Sequence, residues 1–202
     1  MRREATATVF AVPSCLSLPG RRALKHGFTP SKCCRPNSRY NHLMLLAILT
    51  VSDRCSQGLA TDTAGPAVVA LLRKQWPKAA IETGLVPDDE KSIAATLVQW
   101  TNEGADLILT TGGTGLSPRD RTPEATLRVI DRNAPGIAEA MRARGAETNP
   151  FAWLSRGIAG LRGTTLIVNL PGSKRGAEES LAVILPLLKH GLEVAAGAQT
   201  HP

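Results

Sequence analysis

Aromatic side chains are scarce in this 202-residue chain: three Trp, three Phe and one Tyr account for only 3% of it. A core built without them must come from Ala, Val, Leu and Ile, which favours layered α/β packing over an aromatic-rich β-sandwich. No apolar run reaches the roughly 18 residues of a membrane-spanning helix, which excludes a membrane span. Beyond residue 43 there is one cysteine, Cys55. That part can form no internal disulfide framework and reads as a reduced, cytoplasmic domain. Without a Cys-x-x-Cys pair or a spaced Cys/His set, zinc is not expected. The phosphate signature G-x-x-x-x-G-K-[ST] is absent. Gly113 and Gly115 could begin G-x-G-x-x-G, but Pro118 occupies its third glycine, so the dinucleotide fingerprint fails.

What the chain does have divides unevenly. The net charge is +7, yet residues 44–202 hold 16 basic and 16 acidic residues. The excess lies in residues 1–43, where Arg2, Arg3, Arg21, Arg22, Lys25, Lys32, Arg35 and Arg39 face only Glu4. A globular part with no net charge gives little support to a nucleic-acid partner. Residues 1–42 have neither helical nor strand period and contain Pro13, Pro19, Pro30 and Pro36, the composition of a disordered basic extension. Cys15, Cys33 and Cys34 lie there as well, and the adjacent pair reads as incidental. Three origins of this extension stay open. A secretory signal fits Arg2 and Arg3, but the stretch from Ala5 to Leu18 is broken by Pro13. An organelle transit peptide fits the Arg- and Ser-rich, acid-poor composition. The favoured reading starts the protein at Met44, where charge balance and cysteine usage both change. The expected division is therefore 1–42 as extension and 43–202 as one folded domain, the size that 43% hydrophobic content can support.

Hydrophobic periodicity orders that domain. Residues 43–52 are a continuous apolar run ending in polar residues, the pattern of a strand buried on both faces. A polar loop follows, then a helix from Thr63 to Trp76 with Val68, Val69, Leu72 and Trp76 on one face. Ala80 to Val86 reads as a strand closed by Pro87. Glu90 to Glu103 reads as a helix with Ile93, Leu97 and Trp100 in register, stopped by Gly104. A strand from Asp106 to Thr111 runs directly into Gly112-Gly113-Thr114-Gly115. Thr122 is expected to cap a helix reaching about Asp131, with Pro123 at its first position and Glu124 in its first turn. A helix over 136–146, a hairpin over 158–170 and a last helix carrying Leu181, Ile184, Leu185 and Leu188 complete the chain. Alternating strands and amphipathic helices predict right-handed βαβ units: an α/β fold, a mostly parallel sheet with helices on both faces.

In such a sheet the ligand sits at the carboxyl ends of the strands. Four segments reach that edge: Ser52-Asp53-Arg54, Pro87-Asp88-Asp89, Gly112 to Gly115 with Arg119-Asp120, and Asn169-Leu170-Pro171-Gly172-Ser173. Glycines let backbone N–H groups approach an anion, and the helix opening at Thr122 adds a favourable dipole. The chemistry this suits is phosphate handling. Any one of Asp53, Asp88, Asp89 and Asp120 could be a solvated cap. Several together beside a glycine-rich loop imply Mg²⁺ between carboxylates and phosphate oxygens, since carboxylates otherwise repel phosphate. His190 and His201 read as surface residues. No Ser/His/Asp or Cys/His constellation can be assembled, so covalent acyl chemistry is not expected.

At these residues the sequence resembles the molybdopterin adenylyltransferases of molybdenum-cofactor biosynthesis, the MogA/MoaB-like proteins and the G domain of gephyrin. The matching segments are Thr50 to Arg54, Asp62 to Pro66, Val86 to Asp88, Thr110 to Gly115, Arg119 to Ala125, Leu154 to Arg156 and Asn169 to Ser173. The resemblance implies a homotrimeric α/β domain that binds molybdopterin and Mg-ATP, transfers AMP to the pterin phosphate and releases pyrophosphate. It implies that Asp88 and Asp120 are the two critical aspartates, with Mg²⁺ assigned to them. Asp89, directly after Asp88, leaves the position of that acid open by one residue. Ser52, Asp53, Thr114, Ser155 and Ser173 match pocket positions, and Gly112, Gly113, Gly115, Asn169, Pro171 and Gly172 complete the substrate-binding set. Hand-over of product to a molybdate-inserting enzyme follows from the same resemblance. The alternative function is a non-catalytic molybdopterin-binding or trimeric scaffold module of the same fold.

Overall fold

The computed structural model describes residues 43–197. The expectations for residues 1–42, for Cys33 and Cys34 and for His201 lie outside the described residues. The chain begins with β1 (Leu45–Val51), a single-turn helix α1 (Asp53–Ser56), α2 (Ala64–Gln75), β2 (Ala80–Val86) and α3 (Glu90–Glu103). It continues through β3 (Leu107–Thr111), α4 (Thr122–Val129), the two-residue β4 (Arg132–Asn133), α5 (Pro135–Ala146) and a 3₁₀ turn (Pro150–Leu154). A hairpin of β5 (Ala159–Arg162) and β6 (Thr165–Leu170) leads into the long α6 (Lys174–Ala195).

The six strands form one sheet in the order β2-β1-β3-β6-β5-β4. The first four neighbours are parallel, while β5 runs antiparallel to β6 and β4 to β5. Side chains alternate across a strand, so a strand buried on both faces supplies two cores. In β1, Leu46 and Ile48 join Leu72 of α2 and Leu181 and Ile184 of α6 on one face, together with Met141 of α5. Ala47, Leu49 and Val51 join Ile93, Leu97 and Trp100 of α3 and Ala125 and Val129 of α4 on the other. Each fully buried Leu or Ile contributes about 1.5–3 kcal/mol relative to exposure. The predicted α/β architecture, with helices on both faces, is the one observed. Among the described residues no helix is long and apolar enough to cross a membrane.

Two helix starts differ from their sequence readings. Thr122 is the first helical residue of α4, not its cap. Its hydroxyl donates instead to the Gly112 carbonyl at 2.9 Å, because the residue is fully buried and that carbonyl is the acceptor within reach. At α2, the side chain that caps is Asp62: its Oδ1 accepts from the N–H groups of Ala64 and Gly65, both at 3.0 Å, and its Oδ2 accepts from the Thr50 hydroxyl at 2.7 Å. Asp62 therefore pins the start of α2 to the end of β1.

Candidate active site

All four predicted segments meet at the carboxyl edge of the parallel strands. Ser52 follows β1 and caps α1, its hydroxyl accepting from Cys55 N–H at 3.3 Å. Asp53 and Asp88, which follow β1 and β2, clasp each other: Asp53 N–H donates to Asp88 Oδ2 at 2.8 Å and Asp88 N–H to Asp53 Oδ1 at 3.1 Å. Arg119 pairs with the Asp53 carboxylate from the loop after β3. Asp120, on that loop, accepts from Ser117 N–H at 2.9 Å. Burial pushes the Asp88 carboxyl above its ordinary value, and the charges of Asp53 and Asp120 reinforce this against the Asp53 N–H bond and Arg119. Asp89 is elsewhere in role. Its exposed carboxylate caps α3, accepting from Ser92 N–H and hydroxyl at 2.8 Å, and those bonds hold it below the usual range. Of the two adjacent acids, Asp88 is the one that reaches the site.

Beside Asp88 and Asp120 runs the glycine loop. Gly112 has φ +96° and Gly113 φ +62°, and a β-carbon at Gly112 would sit 2.3 Å from the Val51 carbonyl oxygen. One at Gly113 would sit 2.3 Å from the Thr122 hydroxyl and 3.1 Å from Asp88 Oδ1. Only glycine fits both the backbone angle and the space. Gly112 N–H is engaged by the Leu170 carbonyl at 3.3 Å, and Gly172 packs against it so closely that a β-carbon there would lie 3.0 Å from Gly112 Cα. Among the described residues, the N–H groups of Gly113, Thr114 and Gly115 meet no acceptor. Successive unpaired N–H groups in a tight loop form an anion-binding concavity.

On the other side of this loop a cavity of about 690 Å³ opens between α5, the 3₁₀ turn and α6. Thr114, Gly115, Ser155, Asn169, Pro171 and Ser173 line it, with Arg142, Phe151 and Leu154. Ser173 caps α6 through a bond from Gly176 N–H at 3.2 Å, and Ser155 accepts from Gly157 N–H at 3.3 Å. Asn169 plays a different part from a ligand contact. It is buried, its amide donates to the Thr110 and Thr126 hydroxyls, each at 3.0 Å, and its Oδ1 accepts from Ile158 N–H at 3.3 Å. With both amide protons engaged, it braces the floor of the site. The site residues thus fall into two groups: Asp53, Asp88 and Asp120 on one side of the loop, and Ser155, Pro171 and Ser173 on the other. Thr114 and Gly115 belong to the cavity wall and the loop alike.

Sequence reasoning missed Arg156 and Glu124 as members of this site, although both stood in matching motifs. Arg156 N–H donates to Thr114 O at 2.8 Å, Nε to Gly115 O at 2.7 Å and a terminal nitrogen to Asp120 O at 2.6 Å. Its other terminal nitrogen pairs with Glu124. Burial works to raise the Glu124 carboxyl, but the hydrogen bond and charge of Arg156 outweigh it and hold the group below its usual range. Arg142 also went unforeseen; it holds the end of the 3₁₀ turn through the Gly157 carbonyl at 2.8 Å.

Fold and site together define a doubly wound α/β domain whose ligand edge lies at the carboxyl ends of its parallel strands. The family model described as "Probable molybdopterin binding domain" matches residues 47–190. A gephyrin from Dictyostelium discoideum is 42% identical over 157 residues, covering 73% of this chain and 22% of that protein. A molybdopterin adenylyltransferase from Haemophilus influenzae is 41% identical over 141 residues, covering 69% of this chain and 72% of its own. The crystal structure of the molybdopterin biosynthesis enzyme MoaB from Thermus thermophilus superposes with a TM-score of 0.72 at 50% identity, covering 77% of this chain and 98% of that one. The chain spans under half the length of the larger curated relatives it matches. It belongs to this molybdopterin-binding-domain family, as a MogA/MoaB-like member.

Proposed function

We propose that this protein acts in molybdenum-cofactor biosynthesis as a molybdopterin adenylyltransferase. The observation that carries this reading is the run of unpaired N–H groups at Gly113, Thr114 and Gly115, set between the carboxylates of Asp88 and Asp120 and a cavity of about 690 Å³. One ligand on each side of a shared phosphate loop is the arrangement a phosphate-to-phosphate transfer needs. In the reaction, a pterin phosphate oxygen bonds to the α-phosphorus of ATP, the α–β phosphoanhydride bond breaks, and pyrophosphate leaves. No covalent enzyme intermediate is required, so catalysis is positioning plus electrostatics.

The pterin takes the cavity, with Ser155 and Ser173 at its wall and Asn169 beneath. The nucleotide takes the acidic side, its phosphates against the loop N–H groups and the Thr114 hydroxyl. Among the described residues no cluster of three or more acidic, His or Cys side chains could enclose a metal unaided. A magnesium ion that arrives with nucleotide phosphates needs only one or two carboxylates. Asp88 and Asp120 fit that demand, because the carboxylates around Asp88 leave negative charge that the largely exposed Arg119 offsets only in part. Bound there, the cation would neutralise charge on the departing pyrophosphate. A homotrimer is part of the proposal: exposed Leu59, Leu116 and Leu127 offer apolar surface to a second copy, and light scattering should give about three chains per particle. A cytoplasmic location and hand-over of the adenylylated product to a molybdate-inserting enzyme complete it.

Incubating the purified protein with molybdopterin, ATP and Mg²⁺ tests the reading. Mass spectrometry should find adenylylated pterin, with one pyrophosphate released per product. Tight pterin binding with no product and no pyrophosphate would instead establish a non-catalytic binding module.

A further inference from the structure

We propose that Arg156 is a positioning residue: it fixes the direction in which the Gly113–Asp120 loop presents its N–H groups and the Asp120 side chain. The inference rests on the adenylyl-transfer reading for its catalytic consequence, though not for its structural one. In a trans peptide the C=O and the next residue's N–H point in opposite directions. A carbonyl tied inward therefore turns the following N–H outward. The Gly113 carbonyl is tied to Thr122 N–H at 3.1 Å, which orients Thr114 N–H. Arg156 continues the pattern. Its own N–H holds the Thr114 carbonyl, orienting Gly115 N–H, and its guanidinium holds the carbonyls of Gly115 and Asp120. The segment that carries the unpaired N–H groups is thus held by a residue 36 to 42 positions further along the chain.

An ordinary ion pair does not explain this geometry. Only one of the three side-chain partners, Glu124, is charged, and its Oε2 is buried without a hydrogen bond among the described residues. Glu124 offsets the charge of a guanidinium whose other donors hold main chain. A planar fork with five donors can serve three separated acceptors at once, whereas a lysine ammonium concentrates its donors at one point. Arg156 also follows Ser155 and precedes Gly157, both of which line the cavity, so the same short segment touches the pterin side and braces the nucleotide side.

The experiment combines amide hydrogen exchange on the ligand-free protein with transfer kinetics, for Arg156→Lys, Glu124→Gln and the double variant Arg156→Gln/Glu124→Gln. In Arg156→Lys, exchange of the hydrogen-bonded N–H groups of Ser117, Asp120 and Thr122 should rise ~10-fold or more while β1 and β3 stay as protected as in the wild type. Its kcat should fall ~10²-fold, the cost of a misplacement of about 1 Å, with the pterin KM within about threefold. Glu124→Gln keeps both main-chain bonds of the guanidinium and should lose much less on both readouts. The double variant removes both charges together, so it leaves no unpaired buried carboxylate; it should reproduce the loop exchange of Arg156→Lys even if that variant folds poorly. Unchanged loop exchange in the double variant, or equal damage from Glu124→Gln and Arg156→Lys, would overturn the proposal. A wild-type protein that transfers no AMP would defeat the adenylyltransferase reading alone, since the exchange measurements still decide the role of Arg156.

Discussion

Gly112 offers a perturbation whose size can be worked from distances. Replacing it with alanine forces an L-residue to φ +96° and places a methyl 2.3 Å from the Val51 carbonyl oxygen on the adjacent strand. Gly58 serves as the matched control, because it has φ +72° and a β-carbon added there would meet nothing within 4 Å. Gly58→Ala isolates the left-handed backbone penalty, about 1–2 kcal/mol. In a domain of this size that lowers Tm by about 2–8 °C. Gly112→Ala adds a clash with main chain that no side-chain rotation relieves, about 1–3 kcal/mol more. The total of about 2–5 kcal/mol corresponds to a Tm loss of about 4–20 °C. Relief requires β1 and β3 to part at their ends, which carries the Gly113–Gly115 loop with them, and a shift of about 1 Å is worth ~10²-fold in rate. Differential scanning calorimetry and the AMP-transfer assay on both variants make the comparison. If Gly112→Ala is no less stable and no less active than Gly58→Ala, the close approach does not shape the site.

Three further outcomes follow from the same geometry. Asp120→Asn is nearly isosteric and removes only charge, so folding should survive while AMP transfer falls ~10²–10³-fold and pterin binding is kept; loss of pterin binding with nucleotide affinity intact would refute the assignment. Asp88→Asn can still accept the Asp53 N–H bond, and it removes a carboxylate whose ionised form the fold disfavours. Since the folded-state pKa lies above the ordinary 3.8, the variant should melt higher than wild type near neutral pH, and the gain should vanish as pH falls below 3.8, where the wild-type group is protonated; a lower Tm at pH 7 would contradict this. Asn169→Ala strands the Thr110 hydroxyl and Ile158 N–H, while the Thr126 hydroxyl keeps its bond to the Thr122 carbonyl, and should cost about 2–3 kcal/mol, a Tm loss of about 5–10 °C by calorimetry.

The parts of this fold that are legible in the sequence are those set by local pattern. Ala80 to Val86 and Glu90 to Glu103 have the predicted bounds, because Pro87 ends one and Gly104, at φ +93°, ends the other. The four site segments were legible for a related reason: alternating strands and helices put the carboxyl ends of the four parallel strands β1, β2, β3 and β6 on one edge. What was not legible depends on distant partners. Thr122 has the composition of a cap, but a buried carbonyl 10 residues earlier takes its hydroxyl. The 3₁₀ turn at Pro150–Leu154 is anchored by Arg142, and β4 exists through its pairing with β5. Asn169 looks in sequence like a polar ligand contact at a strand end, and only the positions of Thr110 and Thr126 turn it inward. Arg156 stands in a matching segment, but its hold on the loop depends on Thr114, Gly115 and Asp120, 36 to 42 residues earlier.

The strand order carries a consequence for how the chain is made. β6 is the last strand to be synthesised, yet it lies in the interior of the sheet between β3 and β5. Until Thr165–Leu170 leaves the ribosome, β3 has an open edge of Leu107, Ile108 and Leu109, all fully buried in the finished protein. At about 5–20 residues per second, the gap of about 60 residues between the ends of β3 and β6 lasts roughly 3–12 s. For that interval the nascent chain exposes an unpaired apolar strand, the kind of edge that recruits chaperones or other copies of itself. Ser173 and the inner wall of the cavity come later still. A message truncated before Thr165 therefore encodes the parallel strands β1, β2 and β3 with the β3 edge uncovered.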